Sequence, residues 1–453
     1  MAAAMLPSSP PPVSPSLAAA LTRELPAGTR LRAYHLSSPP TRCDPLFSPP
    51  PGQRGEKTYL ESHFLGVTTT SSTTTTPPSP TSPPATSETF ILALEVQIYT
   101  TTHLTTIFIS KADSTGYAPP HPRGASSPLR GIARAFIAHL VRHRRRPHVP
   151  LVVSLFARAS EQYLFPGSVR NAGKHVSDDR QLIRWWCRVL DPLVASPPTT
   201  TTPNFANGSA SAVNGSITPA VTAYLLIPGI DSISPFLPPS SRGRWVAGHP
   251  LLTLNATPPA PPRCLIPHFP DDPKARFLDE LDAELRGSDR GVGDSPSKKG
   301  SGAWRSVRSL DQFWDAMACR QECAAGRVVG FLWVVFGVEG EGREGMSSPD
   351  AAAARRAPRT PRREVKTKRK RKGVLAGPIT PRTPRIKMSD EDAVARRPAR
   401  SKYYYWPETG RGEIVLVAEK YRKATERLLT GDYGTREQAV IATGQWSAWI
   451  YGL

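Results

Sequence analysis

The chain is 453 residues long, holds 50 prolines and carries a formal net charge of +21 at pH 7. Such a charge favours acidic partners such as nucleic acid, chromatin or anionic lipid, but it is unevenly spread: residues 351–400 hold 17 Lys and Arg against 4 Asp and Glu, which is +13 of the total. Five cysteines (Cys43, Cys187, Cys264, Cys319, Cys323) without a CxxC argue against a disulfide framework or zinc site and for a reducing, intracellular compartment, and neither a membrane span of roughly 18 apolar residues nor a signal peptide is legible.

In chain order, residues 1–56 read as a low-complexity segment. An α/β core is expected over 57–338, interrupted by Ser/Thr/Pro-rich inserts at 68–87 and 197–219 whose composition cannot bury enough apolar surface to offset chain entropy. Thr89–Thr100 and His103–Ser110 are β-rich runs separated by two residues, which predicts an antiparallel hairpin. Ser127-Pro128 reads as an N-cap with proline at the first helical position, opening a helix from Leu129 to about Arg142. Leu151–Ala157 and Val221–Ile227 are apolar strands; Val328–Phe336 is a strand or a buried helix segment. Between them, Ser177 is expected to cap a helix carrying Leu182, Trp185, Trp186, Val189 and Leu190, with Asp178 and Asp179 in its first turn. Further helices are expected from Asp271–Pro273 onward and over Leu310–Cys323. A basic insert at 339–400 follows, then helices at Glu413–Leu429 and Thr435–Ile450 that complete the core within 401–453. The fold class is a central, mainly antiparallel sheet flanked by helices, with long inserts.

Five blocks occur in order: IFISKADSTGY (107–117), FARASEQYLFP (156–166), GKHVSDDRQLIRWW (173–186), FPDDPKARF (269–277) and SLDQFWDAMACRQE (309–322). Together they resemble the fungal histone H3 acetyltransferases known as regulators of Ty transposition, a family distantly similar in fold to metazoan CBP-type acetyltransferases. The resemblance covers roughly Lys57–Phe336 and, more weakly, Lys402–Leu453. It implies transfer of acetyl from acetyl-CoA, without a metal, to histone H3 lysines in the tail and near where DNA enters the nucleosome. It further implies a nuclear protein acting in chromatin assembly and the DNA-damage response. The partners implied are H3–H4 and histone chaperones of the anti-silencing-function and nucleosome-assembly-protein types. The competing reading from the residues is a chromatin- or nucleic-acid-binding protein that keeps the fold without catalysis.

The same resemblance assigns site residues. Ala112, Asp113 and Ser114, the loop Ser126, Ser127, Pro128, Leu129 and Arg130, and Phe156, Ser160, His175, Val176, Ser177 and Trp185 would contact the cofactor. Ser160 stands where the family has alanine. On local sequence alone Ser126–Arg130 is equally an ordinary capped helix start, although free N–H groups, a positive dipole end and an arginine suit phosphate. Trp186 and Tyr163 would line the channel for the acceptor lysine, where aromatic walls suit an aliphatic stem and a cationic head.

A lysine amine, with a pKa of about 10.4, must lose a proton before attacking a thioester. Burial or mutual repulsion would raise the pKa of one of Asp271 and Asp272, but on local sequence alone both acids before Pro273 better suit a helix start; the resemblance makes Asp272 the candidate base. Lys274 would be buried, self-acetylated and paired with Asp113. Lys366–Lys372 (KTKRKRK) reads as a nuclear-import signal, a DNA-contacting arm or a solvated linker. No HExxH, Walker loop or GxSxG is present.

Overall fold

A computed structural model of the chain describes residues 16–50, 53–72, 86–120, 127–195, 221–254, 260–287, 304–320, 326–338 and 397–452. Ser126, the basic run Lys366–Lys372 and most of the expected inserts lie outside the described residues.

A ten-stranded mixed sheet organises the molecule. Its strands are β1 (Leu31–Ser37), β2 (Thr41–Cys43), β3 (Thr58–Ser72), β4 (Thr86–Thr100), β5 (Thr105–Ser114), β6 (Leu151–Ala157), β7 (Val221–Leu226), β8 (Trp245–Ala247), β9 (Gly330–Phe336) and β10 (Ile414–Val415). The order is β10-β1-β3-β4-β5-β6-β9-β7-β8, with β2 added on β3. Pairing is antiparallel from β1 through β5, parallel between β5 and β6, and antiparallel again through β9 to β7. The expected β4–β5 hairpin is present. Val328–Phe336 resolves to a strand: its continuous apolar run suits a position between β6 and β7 with both faces buried.

The helices are α1 (Leu17–Glu24), α2 (Pro128–Arg144), α3 (Asp179–Ala195), α4 (Pro273–Gly287), α5 (Leu310–Ala318), α6 (Ala418–Leu428) and α7 (Arg436–Tyr451). α1, α2 and α3 cover one sheet face, with Leu21, Phe136, Leu140, Ile183 and Leu190 packed on Leu65, Leu94, Ile107 and Val153. The side chains of alternate strand residues face the other way. There α4 and α5 cover Val152, Phe331 and Trp333, and α6 and α7 cover Tyr34, Phe64 and Phe90. Among the described residues no helix is long and apolar enough to cross a membrane.

Four expectations about organisation are corrected. The segment 1–56 contributes α1, β1 and β2, and β1 lies inside the sheet between β3 and β10; LRAYHLS is a short run between prolines, and its sheet partners are remote. Thr68–Ser72 and Thr86–Ser87, read as insert, extend the β3–β4 ladder as far as Ser72 opposite Thr86, since β-branched threonines suit a pleated strand as well as a linker. The C-terminal unit reaches back past 401 to include Ala399: the Trp406 amide donates to the Ala399 carbonyl at 2.6 Å and Trp406 is buried. Ile414–Val415, expected as helix, pairs in parallel with β1.

A buried polar network fastens this unit to the core. Arg144 donates to both carboxylate oxygens of Glu61 and, at 2.8 Å, to the Gly410 carbonyl. Glu61 also binds His63, which binds His35 at 2.9 Å. His139 and His143 lie beside them, their rings tilted at 55° with centroids 4.5 Å apart. Burial pushes His139 down to about 2 and His143 to about 4, and the neighbouring cations, Arg144 among them, add to both shifts.

Candidate active site

The parallel strands β5 and β6 are paired only from Thr105–Leu151 to Phe108–Ser154. β5 nevertheless follows β4 to Ser114, and β6 follows β9 to Ala157. An irregularity between Glu95 and Val96 leaves Ser110 as an extra residue on β5, its hydroxyl donating to the Glu95 carbonyl at 3.1 Å. Such a bulge bends its strand, and the C-terminal ends of β5 and β6 part where Ala112, Asp113, Ser114 and Phe156 stand. Beyond β6 opens a cavity of about 800 Å³, walled by the loop 158–163, the start of α3 and the residues leading into β9.

Two buried carboxylates hold the loop that walls it. Asp113 Oδ2 accepts from the amides of Tyr163, Leu164 and Phe165 at 2.8, 2.9 and 3.1 Å. Its Oδ1 accepts from the Ser114 amide at 2.8 Å and from Lys174 Nζ at 2.9 Å. The lysine also donates to Ser168 Oγ at 2.7 Å, and its side chain is 4% exposed. The expected partnership of Asp113 with Lys274 is therefore corrected: Asp113 pairs with Lys174, and Lys274 with Asp272. Sequence order could not choose between the two lysines, because only the folded chain sets the Lys274 ammonium beside Asp272 and the Phe331 ring, and the Lys174 ammonium beside Asp113 and Ser168. With five donors on its two oxygens, Asp113 is a positioning residue.

Asp179 plays the matching part at the loop's other end. Its carboxylate accepts from the Ala159 amide at 2.7 Å, Arg327 Nε at 2.7 Å and the Val328 amide at 3.3 Å, joining β6, α3 and β9. Arg327 completes the tie through the Ala159 carbonyl at 2.8 Å. Sequence reasoning had Asp179 only as a first-turn acid and missed Arg327 and Lys174. It also misplaced the cap of α3. Asp178, not Ser177, accepts from the Gln181 amide at 2.7 Å, and its own amide donates to Gln181 Oε1 at 3.3 Å, a capping box whose signal was D-x-x-Q.

Of the assigned residues, Ser160, Tyr163, Val176 and Ser177 line the cavity, together with the unassigned Arg158 and Arg180. The Tyr163 hydroxyl donates to the Arg158 carbonyl at 3.1 Å, and burial raises its pKa above the usual phenol range. His175 is exposed. Ala112, Leu129, Trp185 and buried Trp186 share the apolar cluster beneath α2 and α3, with the two indoles edge to face at 4.8 Å. Phe156 belongs to the opposite face, beside Phe108 and Phe269. Trp186 and Asp272 therefore stand on opposite sheet faces, flanking the parted strands rather than lining the cavity together.

Asp272 is the N-cap of α4: it is fully buried, its Oδ1 accepts the Lys274 amide at 2.9 Å, and its Oδ2 accepts the Lys274 ammonium. The ammonium lies 4.4 Å from the Phe331 ring centroid, and burial lowers its pKa more than the carboxylate restores it. At the start of α2, Ser127 caps through its carbonyl alone, accepting from Arg130 and Gly131 at 3.0 and 3.1 Å. Pro128 is buried and Arg130 half-buried. Burial, then Arg188 and Arg134, lower the Arg130 pKa. Excess positive charge at a helix N-terminus fits a phosphate-bearing group. Cys187, next to Trp186, has its thiol pushed up to about 12 by burial, which removes the thiolate a covalent route needs.

The chain matches the histone acetyltransferase KAT11-type domain family over residues 17–150 and 146–449. It is 38% identical to the histone acetyltransferase rtt109 of Aspergillus flavus, across 94% of this chain and 80% of that protein. It is 30% identical to the histone acetyltransferase rtt109 of Schizosaccharomyces pombe, across 67% of each. The crystal structure of Rtt109 from Aspergillus fumigatus superposes with a TM-score of 0.71 at 39% identity, covering 96% of both chains. The sheet with its parted strands, the two carboxylate hubs and these matches place the chain in the Rtt109 family of histone lysine acetyltransferases.

Proposed function

We propose that the chain transfers acetyl directly from acetyl-CoA to lysines of histone H3, in the tail and near where DNA enters the nucleosome, and works in the nucleus in chromatin assembly and the DNA-damage response. The observations that support this most are the parting of β5 and β6 beyond Phe108 and Ser154 and the cavity of about 800 Å³ past the end of β6, walled by Tyr163. Acetyl-CoA supplies the activated acyl group as a thioester. The chain's own residues do the rest. Arg130 and the first turn of α2 suit the phosphates, and the parted strand ends suit the thin pantetheine arm. Tyr163, and Trp186 from beneath, suit the acceptor's aliphatic stem. Attack by the lysine nitrogen forms the amide bond, breaks the carbon–sulfur bond and requires one proton to leave the amine.

Asp113 and Asp179 are each engaged by several donors of the loop and its neighbours. Asp272 is the remaining assigned carboxylate, and Lys274 occupies it. Acetylation of Lys274 removes the ammonium and the cost of burying it. The buried Asp272 carboxylate is then left without its cationic partner. Self-acetylation of Lys274 therefore creates the base in this reading. H3–H4 presented by a chaperone of the anti-silencing-function or nucleosome-assembly-protein type is the proposed substrate form. Mass spectrometry of the Lys274 peptide is the test: acetyl-lysine in active protein and none in a Trp186→Ala variant is expected. Unmodified Lys274 in fully active enzyme contradicts this route to the base.

A further inference from the structure

The site loop is gripped from a third side, by the turn between α6 and α7. The Tyr433 amide donates to the Pro166 carbonyl at 2.8 Å. The Tyr433 ring, fully buried, meets Phe165 edge to face at 4.8 Å, and the other side of Phe165 faces Phe90 at 5.5 Å. Asp432 takes Arg170 on both carboxylate oxygens at 2.6 Å and also accepts the Gly434 amide at 2.9 Å. Gly167 has φ +77° and faces the Asp432 carboxylate so closely that a Cβ there would collide with it. The Tyr433 hydroxyl has no hydrogen-bond partner among the described residues, so the ring and the backbone, not the phenol, make the contact.

Phe165 is the hinge of this arrangement. Its amide is one of the three that converge on Asp113, and its ring is wedged between β4 and Tyr433. We infer that Tyr433 is a positioning residue for acetyl transfer: by fixing Phe165 it holds the Tyr163–Phe165 amides on Asp113 and so sets the Tyr163 wall of the cavity. This rests on the reading of that cavity as the site. The consequence is that the segment after the 339–396 stretch takes part in building the site as well as in completing the core. A shift of α6 and α7 would reach the cavity through one aromatic contact.

The test uses the full chain with Tyr433→Ala, Tyr433→Leu and Tyr433→Phe. A control, Leu140→Ala on the opposite sheet face, destabilises the fold without touching the loop. Two quantities are read well below the melting temperatures: kcat for acetylation of H3–H4 at saturating substrates, and amide hydrogen exchange at Tyr163, Leu164 and Phe165. Tyr433→Phe should match wild type in both. Tyr433→Ala should lower kcat at least tenfold and speed exchange at those three amides at least tenfold relative to Leu140→Ala. Tyr433→Leu, which keeps bulk but not the ring edge, should fall between and serves if the alanine variant does not fold. Exchange and kcat equal to those of Leu140→Ala overturn the inference, as does a change in either quantity without the other. If wild type transfers no acetyl, the function assigned to the cavity fails, while the exchange data still decide whether Tyr433 positions the loop.

Discussion

Replacing Asp113 by asparagine changes one atom at the busiest acceptor of the site. The carboxylate takes three amides on Oδ2, and Ser114 and the buried Lys174 ammonium on Oδ1. Asparagine offers one oxygen. If that oxygen stays on the three amides, its NH2 group faces an ammonium whose remaining partner is Ser168 Oγ. If it turns, three amides face a donor. Hydrogen bonds to a charged group contribute about 1.5–3 kcal/mol each, and stranding one member of a buried ion pair costs about 3–5 kcal/mol. The first orientation is the cheaper, so a loss of about 3–5 kcal/mol is expected, a large part of the roughly 5–15 kcal/mol that holds a domain together. With a urea slope of about 1–3 kcal/mol/M, the midpoint should fall by roughly 1–5 M. The double variant Asp113→Asn/Lys174→Met removes the stranded charge and should recover at least half of the loss, while acetylation stays low in both because the loop has lost its anchor. Urea unfolding at pH 7 with a parallel turnover assay decides it. A single variant within about 0.5 kcal/mol of wild type refutes the claim that Asp113 anchors the loop.

Trp186→Phe should keep the fold, since most of the buried ring remains, yet lose most acetylation of H3–H4; wild-type turnover would remove Trp186 from the site. Deleting 340–396 should leave a folded, active enzyme that accumulates less in the nucleus, whereas extending the cut past Trp406 should unfold it, because that indole is buried; circular dichroism and turnover separate the two. Acid should destabilise the protein through the network around Arg144. His139 and His143 titrate at about 2 and 4 when folded against about 6.5 unfolded. The unfolded chain therefore binds more protons below pH 6.5, and stability is lost as pH falls through that window by up to about 1.4 kcal/mol per unit for each histidine. Glu61, held below the usual range by Arg144 and His63 despite its burial, adds loss in the same direction at lower pH. Because His139 has no hydrogen-bond partner among the described residues, His139→Leu should flatten the slope of unfolding free energy between pH 7 and 5; an unchanged slope contradicts its buried, neutral state.

What the sequence disclosed follows the range of the forces involved. β4 and β5 were legible because their pattern is local: two apolar, β-rich runs and a two-residue break. α2 announced itself by Ser127-Pro128. β1 did not, because a seven-residue run between prolines becomes a strand only when β3 and β10 pair with it from either side. The site divides along the same line. The blocks placed Asp113, Tyr163 and Asp272 in the site, but the partner of each carboxylate depends on which sheet face its neighbours occupy. Lys174 and Lys274 each stand in a block, and only the folded surroundings, Ser168 beside Lys174 and Phe331 beside Lys274, tell which lysine meets which carboxylate. Arg327 sits outside all five blocks, and nothing local marks it as the link between Asp179 and Ala159. The histidines of the buried network lie on β1, β3 and α2, too far apart in the chain to read as a cluster.

The central claim, direct transfer from acetyl-CoA to H3 at the opening between β5 and β6, is tested most directly with acetyl-labelled acetyl-CoA, folded enzyme and H3–H4. The account predicts label on H3 lysines, none on any cysteine of the enzyme, and loss of transfer in Trp186→Phe with its fold intact. Label trapped on Cys187, or no transfer by a wild-type protein shown to be folded, contradicts it.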